Sequence, residues 1–137
     1  MASTTSTITV AGTSDGPKRT RIETGTGEFV VGDASPLEHL LGSLAACLNV
    51  IGHLVAREQG LTLRGVAVDV EGDIDTRRYK GKETDARAGF ESIRVRVRAD
   101  TDADDAAVAA WLEEVETRCP VADNLHTGTA LSVDIDG

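Results

Sequence analysis

Apolar residues recur at Leu37, Leu40, Leu41, Leu44, Leu48, Ile51 and Val55, with Leu54 beside them. That is the i, i+3, i+4, i+7 spacing of one helical face. The other side carries Gly42, Ala45, Ala46, Asn49 and Gly52, and no charged residue occurs from Leu40 to Ala56. A helix apolar on one face and small on the other is expected to be enclosed by protein. Its start is marked by Ser35-Pro-Leu-Glu38, which has the capping-box form with Pro36 at the first helical position. Arg57 and Gly60 mark its end. The uncharged stretch falls short of the roughly 20 residues that cross a bilayer, and Gly, Ser, Asn and His inside it suit lipid poorly. A core helix is expected.

Before that helix, residues 4–11 alternate as a short strand, with Ile8 and Val10 on one face. Ser14-Asp-Gly-Pro17 predicts a turn into Lys18–Glu23, and Gly25-Thr-Gly27 a turn into Glu28–Val31, giving a three-stranded meander. After Gly60, Val66, Val68 and Val70 alternate with Asp69 and Glu71. A polar stretch from Asp73 to Gly89 follows, and then Ile93, Val95 and Val97 alternate with Arg94, Arg96 and Arg98. The arginine row is expected to pair across strands with Asp69 and Glu71 rather than to bind an anion. Val108, Trp111, Leu112 and Val115 form the stripe of a second helix over Asp104–Arg118. Cys119 continues that stripe. Pro120 breaks the helix and starts a short one through Leu125, which places Cys119 at an N-cap, where thiol pKa values are lowered. Leu131, Val133 and Ile135 alternate in a last strand. Strands and helices do not alternate regularly, so the class expected is α+β: strands packed around a long buried helix, plus a second helix.

Length and charge narrow the function. The 137 residues are expected to form one domain, 1–137, large enough for a core. The net charge is −9, which argues against nucleic acid and anionic membrane as partners. The aromatic residues are only Phe29, Tyr79, Phe90 and Trp111, too few for a base-stacking platform. The first residues lack the basic and apolar regions of a signal peptide, so a cytoplasmic protein with reduced thiols is expected.

Chemistry then rests on two thiols, Cys47 in mid-helix and Cys119 before a proline. Packing is the commonest role of a buried cysteine. His39, His53 and His126 with the two cysteines show no short ligand spacing, so no metal is expected. Cys-x-x-Cys, Gly-x-Ser-x-Gly, P-loop and dinucleotide fingerprints are missing. However, Ser35-Pro-Leu-Glu-His-Leu-Leu-Gly-Ser-Leu-Ala-Ala-Cys47-Leu, followed by Arg118-Cys-Pro-Val-Ala-Asp-Asn-Leu125, resembles the family of the osmotically inducible protein C and the organic hydroperoxide resistance protein. Gly65 onward and Arg87-Ala-Gly-Phe90 fit as well. The resemblance implies a tightly intertwined homodimer with the long helices at its centre and active sites at the subunit interface.

It also implies thiol peroxidase chemistry. Cys47 matches the cysteine that attacks the hydroperoxide and becomes a sulfenic acid, and Cys119 matches the resolving cysteine that condenses with it to a disulfide. An external dithiol then reduces the disulfide, with no cofactor. The family activates its thiolate with an arginine from the opening strands, held by the glutamate at the helix start. Glu38 matches the glutamate, and Arg21 or Arg19 the arginine. A cation is needed because an apolar setting raises a thiol pKa, and a mid-helix thiol gets little from the dipole. Nine helical residues put Glu38 and Cys47 about half a turn out of phase and roughly 13–14 Å apart along the axis. On one straight helix they do not meet, so either the first turn bends away or Glu38 and its arginine serve the partner's thiol, and the second is expected. His53, about 240° round the helix from Cys47, is expected to be a hydrogen-bonded core histidine rather than a base. Asp123 and Asn124 are expected to cap or orient the loop. The competing readings are a binding or redox-sensing protein of the same fold, and a structural dimer with inert cysteines. Leucine, valine and alanine around the thiol favour small or aliphatic organic hydroperoxides over polar ones.

Overall fold

The computed structural model describes residues 4–136. In chain order the elements are β1 (Ala11–Gly16), β2 (Arg19–Glu23), β3 (Glu28–Val31), α1 (Pro36–Gln59), β4 (Gly65–Ile74), β5 (Phe90–Asp100), α2 (Asp105–Arg118) and α3 (Pro120–Thr127). The class is α+β, as the pattern of elements predicts. The chain divides into two units, Met1–Leu40 and Leu41–Gly137.

In the first unit β1, β2 and β3 form an antiparallel meander. Thr13 lies opposite Arg21, which lies opposite Val30. The first strand begins only at Ala11 and runs through Ser14 to Gly16, so both the strand placed at residues 4–11 and the turn placed at Ser14 are corrected. The reason is pairing: β2 ends at Glu23, opposite Ala11, so the ladder does not extend to residues 4–10. Ile8 is accordingly 93% exposed. The start of α1 is the capping box expected: the Ser35 amide donates to Glu38 Oε1 at 3.0 Å, and the Glu38 amide to Ser35 Oγ at 3.1 Å. His39 stacks on Phe29 of β3, with ring centroids 5.9 Å apart.

In the second unit the core is a single cluster. Leu44, Leu48, Val55 and Ala56 of α1 meet Trp111 and Val115 of α2 and Cys119, with Val66, Val68, Val70, Ile93 and Val97 of the β4–β5 ribbon packed against them. At 24 residues α1 is long and apolar enough, by length and composition, to span a bilayer. Its Leu44–Val55 face instead packs into this core. The opposite face, with Asn49, Val50, His53 and Leu54, is exposed, Val50 by 63%. Within one chain, then, the helix is covered on one side only, not enclosed as its uncharged circumference predicts. It ends where Gly60 adopts φ +69° and the Leu61 amide reaches back to the Ala56 carbonyl at 2.9 Å.

On the exposed face of the ribbon, Arg94 bonds Glu71 and Asp73, and Arg98 bonds Asp69, so the arginine row pairs across strands as expected. The last strand does not form: residues 128–136 lie in no strand, and Ile135 is 99% exposed. Alternation supplies a strand's faces but not its neighbour. Among the described residues none pairs with this segment.

Exposed ion pairs such as these make a modest contribution to stability that depends on pH. Arg77 pulls Asp75 down to about 2, Arg94 holds Asp73 below the usual carboxylate range, and Arg64 does the same to Asp102. A depressed folded pKa contributes stability that is full above the unfolded value and is lost as pH falls through the folded one. Unfolding midpoints in urea should therefore hold down to about pH 4, near the unfolded carboxylate value, and then decline toward pH 2. Arg77→Gln should flatten part of that decline, and an unchanged acid limb would remove Asp75 from it.

Candidate thiol site

Both cysteines belong to the second unit and both are free. The repeat of α1 turns Leu44 and Leu48 into the core and leaves Cys47 at the rim of that face, half-buried against the cluster. Cys119 is fully buried and forms a joint. It ends α2 and starts α3, with φ −79° and ψ 111°, an extended residue between two helices. Pro120 explains the break, since it has no amide to continue α2 but suits the first position of α3.

The Cys119 thiol lies near Cys47. Desolvation pushes its pKa up, and the nearby Cys47 sulfur pushes it further, while the amides of Ala122 and Val121 pull the other way. The N-cap position is as predicted, but the net direction is opposite, because burial outweighs the first-turn amides of a short helix. Burial thus favours the protonated form of Cys119. The arrangement can form a disulfide once one sulfur is oxidised. Half-burial gives an outside molecule access to Cys47, whereas Cys119 is sealed.

Glu38, Arg21 and Arg19 lie in the first unit. Glu38 is held by Ser35, whose amide keeps its carboxyl below the ordinary glutamate value. Arg21, on β2, stands 3.9 Å from both Glu23 and Glu28. Arg19, at the start of β2, makes no ion pair among the described residues, and its stem lies against Gly32. His53 is exposed, not a core residue, and its Nδ1 bonds the Asn49 carbonyl of its own helix at 3.0 Å. Asn124 lies within α3 rather than in a loop and donates to the Pro120 carbonyl one turn back at 3.0 Å.

Two contacts around the thiols were not legible beforehand. Trp111 Nε1 donates to the Gly52 carbonyl at 2.8 Å, and a Cβ on Gly52 would stand 2.9 Å from the indole. Arg118 grips Glu58 through Nη1 at 2.5 Å and Nη2 at 3.2 Å. Only the small face of α1 hinted at the first. Arg118 could be read from sequence as no more than a charge suited to a helix end.

Compared with known proteins, residues 25–134 match the family described as OsmC-like protein. The fold is similar to that of an OsmC-like protein from Mycoplasma pneumoniae, with a TM-score of 0.77 at 18% identity, covering 88% of this chain and 87% of that one. It is also similar to an organic hydroperoxide resistance protein OsmC from Legionella pneumophila, TM-score 0.66 at 17% identity, covering 90% and 91%. A third, the organic hydroperoxide resistance protein OhrB of Bacillus subtilis, gives 0.57 at 17% identity over 88% and 90%. No curated protein matches the chain in sequence.

Proposed function

This chain belongs to the OsmC-like protein family, and from that premise we propose that it is a cytoplasmic thiol-dependent peroxidase reducing small organic hydroperoxides. The observation that carries the reading is the thiol pair: two free, neighbouring cysteines, one half-buried and one sealed in the core. The organic hydroperoxide resistance names of the Legionella and Bacillus proteins support it.

In the first step the Cys47 thiolate attacks one peroxide oxygen. The O–O bond breaks, the other oxygen leaves as an alcohol after taking a proton, and Cys47 becomes a sulfenic acid. Cys119 then attacks the Cys47 sulfur, an S–S bond replaces the S–O bond, and water leaves. An external dithiol reduces the disulfide, so no metal or flavin is needed. Cys119 holding its proton suits the order, because it leaves Cys47 as the first nucleophile.

The thiolate needs a cation, and we assign that role to Arg21 or Arg19, held by Glu38. Nine helical residues keep Glu38 from the thiol of its own chain, so these groups serve the Cys47 of the partner in a homodimer, with 1–137 acting as one domain. Support for the homodimer comes from the apolar surface left uncovered: Ile8, Val10, Val50, Leu54, Leu131, Val133 and Ile135. An active monomer would contradict it.

Cys119→Ser tests the division of labour. After one equivalent of cumene hydroperoxide it should accumulate sulfenic acid on Cys47, trapped by dimedone, while wild type passes on to the disulfide. Sulfenic acid appearing on Cys119 of Cys47→Ser instead would reverse the two roles. A disulfide that forms once but is never turned over by a dithiol would identify a redox sensor.

A further inference from the structure

Cys119 is a one-residue joint, and its flanks determine where its sulfur points. On the α3 side it is fixed by Pro120, by the Asp123 amide donating to the Cys119 carbonyl at 3.0 Å, and by Asn124 on the Pro120 carbonyl. On the α2 side the nearest buried anchors are Val115 and Trp111, one turn and two turns back. Helix ends fray, and the last turn of α2 carries no further core residue before the thiol. What holds that turn is Arg118, the residue directly before Cys119. Its guanidinium forms a two-point bond to Glu58 near the end of α1, the helix that bears Cys47. The pair is half-exposed, with side chains 34% and 49% accessible.

We propose that the Glu58–Arg118 ion pair is a positioning device for the resolving step, tying the end of α2 to α1 so that Cys119 is presented to Cys47. It rests on the peroxidase reading above. A disulfide requires its two Cβ atoms within about 3.5–4.5 Å, and a misplacement near 1 Å is enough to slow a reaction between two held groups. The step served is the condensation of the Cys47 sulfenic acid with the Cys119 thiol, in which an S–S bond forms, the S–O bond breaks and water departs. The pair touches neither sulfur and takes no part in the attack on peroxide.

Glu58→Gln, Arg118→Lys and the swapped double variant Glu58→Arg/Arg118→Glu separate these roles in a single turnover with cumene hydroperoxide. Glu58→Gln should form the disulfide roughly three- to tenfold more slowly, with longer-lived, dimedone-reactive sulfenic acid and an unchanged rate of peroxide consumption. Arg118→Lys should lie between, and the swap should recover most of the wild-type rate. Because the pair is half-exposed, about 1 M NaCl should slow disulfide formation in wild type and leave Glu58→Gln unmoved. Equal disulfide rates in wild type and Glu58→Gln would overturn the proposal while leaving the peroxidase reading intact. Slowing of both steps together would also overturn it, as a general loosening of the fold. If wild-type thiols stay reduced under peroxide, the peroxidase reading fails and this proposal with it.

Discussion

Cys47→Ser is expected to lower kcat/KM for an organic hydroperoxide by roughly a thousandfold or more, the scale on which removal of a catalytic nucleophile is felt. A serine hydroxyl at neutral pH is neither ionised nor easily oxidised, so no sulfenic acid forms and Cys119 has nothing to resolve. Stability should change little, because Cys47 sits at the rim of the core and one sulfur is exchanged for one oxygen. Cys119→Ser should cost less activity, since a small dithiol can reduce the Cys47 sulfenic acid directly. Steady-state peroxide consumption by the two variants, read beside their urea midpoints, separates chemistry from folding. Near-wild-type turnover by Cys47→Ser would end the peroxidatic assignment.

The largest effect on stability is expected at Trp111. It is 1% exposed, lies in the core cluster and bonds the Gly52 carbonyl of α1. Gly52 has no side chain because the indole occupies its place. Trp111→Ala removes the ring and leaves a cavity that Gly52 cannot fill, and losses of about 3–5 kcal/mol are usual for such truncations. A domain of this size has about 5–15 kcal/mol in total, so the variant should be near the edge of folding. Trp111→Phe keeps most of the packing and drops the indole hydrogen bond, worth about 1 kcal/mol. Urea unfolding of both variants checks the order. A Trp111→Ala midpoint within error of wild type would mean that α1 and α2 are held by something other than this contact.

Most of the fold could be read from periodicity because the second unit satisfies itself. Val66, Val68 and Val70 of β4, Ile93 and Val97 of β5, the stripe of α2 and the Leu44–Val55 face of α1 find partners within the same cluster, whereas Val95, expected on the inner face, is exposed. The capping box at Ser35 and the joint at Pro120 were legible for a similar reason: both are local bonds between residues close in sequence. The misses share the opposite property. Residues 4–10 and 128–136 have the alternation of strands, but a strand exists only beside another, and among the described residues no strand pairs with either segment. His53 and Val50 lie on a helix face that the described residues leave exposed. The Cys119 pKa direction depends on depth of burial, which position in a helix does not reveal. For the site, the two sulfurs could be singled out from residue type and spacing. Their adjacency is tertiary, as are Trp111 on Gly52 and Arg118 on Glu58.

The most direct measurement is peptide mapping of wild-type protein by mass spectrometry after one equivalent of cumene hydroperoxide, with a thiol-blocking reagent added at each time point. A Cys47–Cys119 disulfide, forming as the peroxide disappears and removed by a dithiol, is the expected result. Both thiols remaining reduced and alkylatable over minutes, with the peroxide unconsumed, would contradict the two-cysteine peroxidase.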